Sequence, residues 1–218
     1  MKRLLCIALS FVLLAFGLVS CENSKKEDNK KESTTVAATT RAPIVQDNIP
    51  YIATEEESDL VIIDVANYGK IVVELYPETA PITVANFKKL VSEKFYDGLI
   101  FHRVIEDFMI QGGGFDESFM QKSAESIKGE FASNGVTNDL KHTRGVISMA
   151  RTSIPDSATS QFFIMHKDAP HLDGEYAAFG NTVYGIEIVD AIASVATDYY
   201  DCPLTNIVIT SIRFATAK

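Results

Sequence analysis

Residues 101–115, FHRVIEDFMIQGGGF, combine a single arginine and a single glutamine with an otherwise largely apolar run that ends in three glycines. In an extended strand, Arg103, Ile105, Met109 and Gln111 can share one face. A guanidinium group stays charged in proteins, so the side chain of Arg103 must find acceptors. Two interpretations are open. The segment is either a core strand whose arginine is satisfied by a carboxylate or carbonyls, or an apolar groove with one donor fork directed at a ligand carbonyl.

This segment resembles the central signature of the cyclophilins, a family of peptidyl-prolyl cis-trans isomerases. Two later segments resemble the next signatures of the same family: residues 145–164, GVISMARTSIPDSATSQFFI, and residues 171–180, HLDGEYAAFG. Three blocks in the right order are far more specific than any one of them, and the resemblance covers roughly residues 59–214. It implies a mainly β fold, a closed eight-stranded antiparallel barrel capped by two helices.

The resemblance also implies the site residues, with Arg103 as the catalytic residue. The residues that it implies for substrate binding are His102, Phe108, Met109, Gln111, Ala150, Arg151, Gln161, Phe163, His171, Leu172 and Tyr176. Among these, Phe108, Met109, Phe163 and Leu172 match the family's proline pocket, although each apolar residue taken singly is typical of an ordinary core. His171 stands where many members have a tryptophan associated with cyclosporin binding, so drug sensitivity is in question while catalysis is not. Arg151 replaces a frequent asparagine, and Tyr176 a frequent histidine.

Rotation about a peptide bond has a barrier of about 18–20 kcal/mol, and no nucleophile is needed to lower it. A guanidinium beside an Xaa-Pro bond can donate to the proline nitrogen as conjugation is lost, which favours the twisted state over both planar ones. Gln111 and Gln161 offer amides that can orient Arg103 or the substrate backbone. The sequence therefore predicts a prolyl isomerase. The alternative is a non-catalytic proline-peptide binding module or chaperone of the same fold, which would not require Arg103.

Charge and composition exclude other classes. The 218-residue chain has a net charge of −9, which argues against a nucleic-acid partner because phosphate recognition needs a basic face. The histidines at positions 102, 142, 166 and 171 show no metal-ligand spacing, and no Lys-Ser or Lys-Thr follows the three glycines. We therefore expect neither a metal nor another cofactor. The expected partners are proline-containing polypeptides, and the expected state is a monomer.

The N-terminus is typical of an exported protein. Basic Lys2 and Arg3 precede an apolar run over residues 4–19 that is short for a transmembrane helix. The run ends in Leu-Val-Ser-Cys at residues 18–21, which resembles the bacterial lipobox and implies cleavage before Cys21 and lipidation of its thiol. The alternative is an ordinary signal anchor with a chance cysteine. We expect the mature chain on the outer face of the bacterial cytoplasmic membrane, or at an outer membrane.

The predicted organisation is a lipoprotein signal peptide over residues 1–20, a lipidated cysteine and flexible polar tether over residues 21–57, and an isomerase domain over residues 58–218. The first part of the tether is polar and lacks aromatic residues, so it cannot bury enough apolar surface to offset chain entropy. A third functional alternative, a surface lipoprotein that binds a host or envelope partner, is favoured only by the acidic charge and the anchor.

Hydrophobic periodicity and turn residues predict the elements of the domain. We expect a hairpin over residues 60–65 and 71–75, a helix from Pro81 through residue 94, and a second helix after Gly185. Further strands are expected at residues 145–150, 161–166, 178–183 and 207–214, with residues 112–145 mostly in a loop. Cys202, between Asp201 and Pro203, is expected to be a bystander thiol.

Overall fold

The structure, a computed structural model, describes Ile44, Gln46 and residues 48–218. Within this part of the chain the strands are β1 Tyr51–Thr54, β2 Leu60–Val65, β3 Gly69–Leu75, β4 Leu99–Ile105, β5 Met109–Asp116, β6 Val146–Met149, β7 Phe162–Met165, β8 Ala178–Tyr184 and β9 Ile209–Ala217. The helices are α1 Pro81–Ser92 and α2 Ile186–Ala193, with short 3-10 helices at Ala132–Asn134 and Pro170–Leu172. None of the helices in the described residues is both long and apolar enough to cross a membrane.

The nine strands of the described residues form one antiparallel sheet in the order β1-β9-β2-β3-β8-β6-β7-β5-β4. The expected closed eight-stranded barrel is therefore wrong in strand number and in closure, because the ladder has two ends, β1 and β4. The physical reason lies in β9, which carries β2 along one edge and β1 along the other. In the described residues β4 meets this part of the chain only around Val208, where Ile100 and Val208 make one isolated bridge and the amides of Gly98 and Phe101 donate to the carbonyls of Ile209 and Ile207.

The folded part begins before residue 58. Strand β1 pairs with β9, with Tyr51 opposite Ala217 and Thr54 opposite Phe214. Upstream, the side-chain amide of Gln46 donates to the Lys70 carbonyl at 2.9 Å and accepts from the Lys70 amide at 2.7 Å. The C-terminal end of the predicted 21–57 tether therefore belongs to the sheet. The predicted signal peptide, Cys21 and the first part of the tether lie outside the described residues.

The predicted elements of the domain form, with shifted ends. Helix α1 ends at Ser92 rather than at residue 94, where Lys94 turns left-handed with a φ of 54°. Strand β5 runs on to Asp116, further into the predicted 112–145 loop than the periodicity suggested. It can do so because glycines there leave room: a Cβ on Gly114 would lie 2.4 Å from the side chain of Gln161.

Alternating residues of the central strands enter two different apolar clusters. In β7, Phe162 and Ile164 belong to the main core, while Phe163 and Met165 belong to a second cluster on the opposite face. We call this the second cluster: Met109, Val146, Phe163, Met165, Ala169, Leu172 and Ala178, with Ile105, Phe108, Leu140, Ala150 and Tyr176 packed against it. Burial on both faces explains why these strands are almost continuously apolar.

Helix α1 has its N-terminal amides satisfied from outside the helix. Its N-cap residue Ala80 supplies no side-chain bond, and Pro81 follows in the first turn, where a missing amide hydrogen costs little. The buried carboxylate of Glu130 accepts from the Ile82 amide at 3.0 Å and from the amide and hydroxyl of Thr83, both at 2.7 Å. This contact joins α1 to the long connection between β5 and β6.

Replacing Glu130 with glutamine should lower the free energy of unfolding by about 2–4 kcal/mol, because a neutral amide cannot accept all three charge-assisted bonds. Urea denaturation of the purified protein measures the loss. Glu125→Gln is the matched control, since Glu125 is exposed in the same connection and should change stability little. Equal stability of the two variants would contradict the assigned role of Glu130.

Candidate active site

Strand register brings residues far apart in sequence into one row across the sheet. Arg103 of β4 lies opposite Gln111 of β5, Gln111 lies opposite Phe163 of β7, and Phe163 lies opposite Ser148 of β6. Directly paired residues of antiparallel strands project from the same face. Since Ile105 likewise pairs with Met109, the predicted common face of Arg103, Met109 and Gln111 is confirmed.

The second cluster supplies an apolar wall on this face. Met109, Phe163 and Leu172 are only 2%, 5% and 4% exposed, and Leu172 is contributed by the 3-10 helix Pro170–Leu172. The partly buried Phe108, Ala150 and Tyr176 pack against the same cluster. The rings of Phe163 and Tyr176 meet edge to face with centroids 5.9 Å apart. The structure thus brings together all four residues predicted for a proline pocket.

Arg103 lies at the end of this row with 34% of its side chain exposed. Its Nη2 atom is 3.3 Å from Oδ2 of Asp201, which is 41% exposed. Among the described residues, Asp201 is the only ion-pair partner of Arg103. The interpretation as a core arginine satisfied by a buried carboxylate therefore does not describe this side chain. A guanidinium has five N–H donors, and one exposed carboxylate leaves several of them available to a ligand.

An amide pair adjoins the arginine. Gln111 is 8% exposed, and its Nε2 atom donates to Oε1 of Gln161 at 3.0 Å. The Gln161 side chain lies directly over Gly114, so the glycine is what allows this close approach. The bond uses one donor of Gln111 and one acceptor of Gln161. The Gln161 amide nitrogen and the Gln111 carbonyl oxygen keep hydrogen-bonding capacity for Arg103 or a peptide backbone.

His102 is held neutral beside the arginine. Its ring packs edge to face on Phe115 with centroids 4.7 Å apart, and its buried Nδ1 atom has no hydrogen-bond partner among the described residues. Burial lowers the pKa of His102 to about 4, and the positive charge of Arg103 adds to the effect. The ring is therefore uncharged near neutral pH, and it supports the strand next to Arg103 without adding a second cation.

Arg151 and His171, two departures from the resemblance, form parts of the wall. The Arg151 guanidinium lies between two rings, 4.8 Å from the centroid of Phe131 and 4.6 Å from that of Tyr176. Its Nε and Nη2 atoms donate to the Glu175 carbonyl at 3.0 and 2.8 Å, so this cation is already occupied. The exposed His171 stacks on Phe108 with centroids 5.7 Å apart, which keeps an aromatic surface where many members of the resembled family have a tryptophan.

The sequence interpretation missed a buried network behind the wall. The Nδ1 atom of His142 is 3.1 Å from Oδ1 of Asp173, its Nε2 atom is 3.0 Å from the Ser148 hydroxyl, and its ring stacks on Phe163. The order Asp-His-Ser is that of a nucleophilic triad, but Ser148 is 0% exposed and cannot reach a substrate. Burial lowers the pKa of His142, so the neutral ring braces Phe163.

The roles of His142 and Asp201 could not be read from the sequence. The His142–Asp173 and Arg103–Asp201 contacts each join segments that are remote in sequence, so no local pattern indicated them. Over the part of the chain that the structure describes, no group of three or more His, Cys, Asp or Glu side chains could hold a metal ion.

Comparisons with known proteins agree with this geometry. The model of the family "Cyclophilin type peptidyl-prolyl cis-trans isomerase/CLD" matches residues 60–214. A peptidyl-prolyl cis-trans isomerase of Acinetobacter baylyi is 51% identical over 140 residues, which cover 62% of this chain and 72% of the relative. The isomerase B of Escherichia coli is 44% identical over 159 residues, covering 67% of this chain and 94% of the relative.

A solved structure shares the fold. The cyclophilin-type isomerase of Cryptosporidium parvum, crystallised in the presence of the dipeptide Ala-Pro, superposes with a TM-score of 0.64 at 30% identity, covering 71% of this chain and 98% of that one. The present chain therefore belongs to the cyclophilin-type peptidyl-prolyl cis-trans isomerase family. It is an enzyme of that class, with a cyclophilin-like antiparallel sheet and two α-helices in the residues described.

The low pKa of His102 predicts a loss of stability in acid. The folded-state pKa of about 4 lies below the unfolded value of 6.5, so the unfolded chain binds the proton first as the pH falls. The stabilisation is complete above pH 6.5 and is lost between 6.5 and 4, by about 3 kcal/mol for this residue. His142, whose pKa burial also lowers, contributes in the same direction.

Urea denaturation at pH 7, 5.5 and 4.5 measures this dependence. His102→Gln should lose less stability than the wild type over that range, because the glutamine has no proton to gain. His171→Gln, at an exposed position, is the matched control and should follow the wild type. An unchanged pH dependence in His102→Gln would show that His102 is not the titrating group.

Proposed function

We propose that the face formed by β4, β5, β7 and β6 binds a proline-containing segment of a polypeptide and that Arg103 accelerates rotation about its Xaa-Pro bond. The observation that carries the proposal is the row of paired residues, in which an exposed guanidinium, a buried amide and a buried ring follow one another on adjacent strands. This arrangement sets one strong donor beside one apolar wall.

The wall holds the proline ring. Met109, Phe163 and Leu172 present buried apolar surface, and burying a ring there releases about 25 cal/mol for each Å² removed from water. Packing behind the wall keeps Phe163 in place, since its ring is stacked on His142 and met edge-on by Tyr176. A ring held this firmly lets the rest of the peptide turn against it.

Arg103 then acts on the bond itself. As the bond twists, the proline nitrogen loses conjugation and becomes a better acceptor, so a guanidinium N–H binds the twisted state more strongly than either planar state. No covalent step is required. The Gln111–Gln161 pair binds the backbone of the substrate next to the proline, which limits the positions that the bond can take relative to the Arg103 guanidinium. All of these residues come from one chain, so a monomer suffices.

The N-terminal features extend the proposal to location. The run over residues 4–19 and the Leu-Val-Ser-Cys sequence support export, cleavage and a lipid anchor at Cys21. Several acyl chains would give stable attachment to a membrane, which a single chain does not. The enzyme would then assist the folding of exported polypeptides at the outer face of the cytoplasmic membrane or at an outer membrane.

Replacing Arg103 with alanine should lower kcat about 30- to 1,000-fold, because a charge-assisted donor is worth roughly 2–4 kcal/mol in a transition state. Peptide affinity should change much less. Arg103→Lys should rescue little, since an ammonium lacks the planar fork. The measurements are isomerase kinetics on a proline-containing tetrapeptide, peptide affinity by NMR titration and thermal unfolding, all on the same samples.

Arg213→Ala is the control that separates structure from catalysis. Arg213 is bonded to Asp97 at 2.8 and 2.6 Å and is 24% exposed, so its removal should lower Tm while kcat is kept. A folded Arg103→Ala protein with turnover close to wild type would remove the catalytic assignment. It would favour the proline-peptide binding module or chaperone instead.

The anchor is tested separately, in a bacterial host. Cys21→Ala should abolish labelling by a radioactive fatty acid and leave an uncleaved precursor, because the acylated thiol is lost. Cys6→Ala, which alters a cysteine inside the predicted signal peptide, should label normally. Labelling of Cys21→Ala at the wild-type level would show that Cys21 is not the lipidated residue.

A further inference from the structure

Asp201 makes two contacts with the strand that carries the catalytic residue. Its carboxylate Oδ2 lies 3.3 Å from Nη2 of Arg103, and its backbone carbonyl accepts from the amide of Val104 at 2.8 Å. One residue thus holds both the side chain of Arg103 and the backbone next to it. In the described residues, β4 is an end of the ladder, so the backbone N–H and C=O groups on its outer edge depend on such contacts for hydrogen-bond partners.

The loop that presents Asp201 is itself well held. Thr197 and Pro203 form an isolated bridge at its base, and the Asp201 amide donates to the Asp198 carbonyl at 3.1 Å. The Asp198 side chain accepts from the amides of Tyr200 and Cys202 at 2.9 and 3.0 Å. Every one of these bonds lies within the loop, so the backbone that carries Asp201 is held independently of Arg103.

Asp201 adopts a left-handed backbone with a φ of 61°. Aspartate and asparagine tolerate this region better than most residues, and glycine has no penalty there. The two contacts with β4 are made from this conformation. Two requirements therefore limit which residue can occupy position 201: it must tolerate a left-handed backbone, and it must carry a carboxylate to pair with Arg103.

We propose that Asp201 is a positioning residue that holds the Arg103 guanidinium in the orientation needed to donate to the substrate. The inference rests on the proposed function of Arg103. A long arginine side chain that is one-third exposed has many rotamers, and a fixed counter-charge beside one terminal nitrogen restricts them before substrate arrives. Because only one nitrogen is engaged, the other N–H groups of the guanidinium stay available to the substrate.

Positioning affects the chemical step more than binding. The proline ring is held by the second cluster, which Asp201 does not enter, so the affinity for peptide should be nearly independent of this residue. The donor bond to the proline nitrogen strengthens only in the twisted state, so a loosely held guanidinium lowers kcat. If Asp201 had a purely structural role, its replacement would lower Tm and the fraction of active protein, without a selective fall in the kcat of the folded enzyme.

The test uses two substitutions that keep the left-handed backbone. Asp201→Asn removes the charge, and Asp201→Gly removes the side chain. Each should lower kcat on a proline-containing tetrapeptide about 3- to 10-fold, with KM within about twofold of the wild type. Asp64→Asn is the matched control, since Asp64 forms an ion pair of similar length and exposure, 3.4 Å from Lys70, and neither residue belongs to the site described above. It should leave kcat unchanged.

A double-mutant cycle separates this inference from the proposed function. In an Arg103→Ala background, Asp201→Asn should have no further effect on kcat, because there is no guanidinium left to orient. An equal loss in both backgrounds overturns the positioning role, as does wild-type kcat in Asp201→Asn or unfolding of both Asp201 variants. If Arg103→Ala alone keeps wild-type turnover, the catalytic assignment itself fails.

Discussion

The pairing register of β4, β5, β7 and β6 is the constraint on which the site depends. With Arg103 opposite Gln111 and Gln111 opposite Phe163, donor, amide and ring occupy consecutive strands about 5 Å apart. A slip of one residue in any pair would turn the affected side chains to the other face. The register of β5, β7 and β6 is protected because both faces of these strands are buried, so a slip would exchange the members of two packed clusters at once.

Two long-range contacts keep the flanking segments in place around this register. The Glu130 carboxylate ties the connection after β5 to the first turn of α1, and Asn138 in the same connection bonds the carbonyls of Glu130 and Ala178. The second tie is the Asp173 carboxylate, which accepts from the backbone and the ring of His142. Both are buried or partly buried carboxylates satisfied by several donors, and such groups specify one arrangement of loops that hydrophobic contact alone would leave open.

Much of this could be predicted from the sequence, and the limits are physical. Local signals predicted the hairpin of β2 and β3, both helices and the strands around residues 146–149 and 162–165, because periodicity and turn residues act over a few positions. The grouping of Met109, Phe163 and Leu172 followed from the resemblance of three sequence blocks to the signatures of one family. The open order of the sheet, strand β1 and the Arg103–Asp201 pair could not be predicted, because each depends on which remote segments meet β9 and β4.

A catalyst of bond rotation needs one half of its substrate held rigidly and a donor able to follow the other half. The second cluster supplies rigidity: Met109 and Phe163 lie in strands packed on both faces and are at most 5% exposed. Arg103 occupies the opposite situation, on the strand at the end of the ladder, with a third of its side chain in solvent. An exposed side chain is poorly oriented. In our proposal the ion pair with Asp201, on a loop held by its own hydrogen bonds, orients the Arg103 guanidinium without burying it. Under the proposed mechanism, this difference in burial along one row of paired residues is what would let the same sheet hold a proline ring while the rest of the peptide rotates.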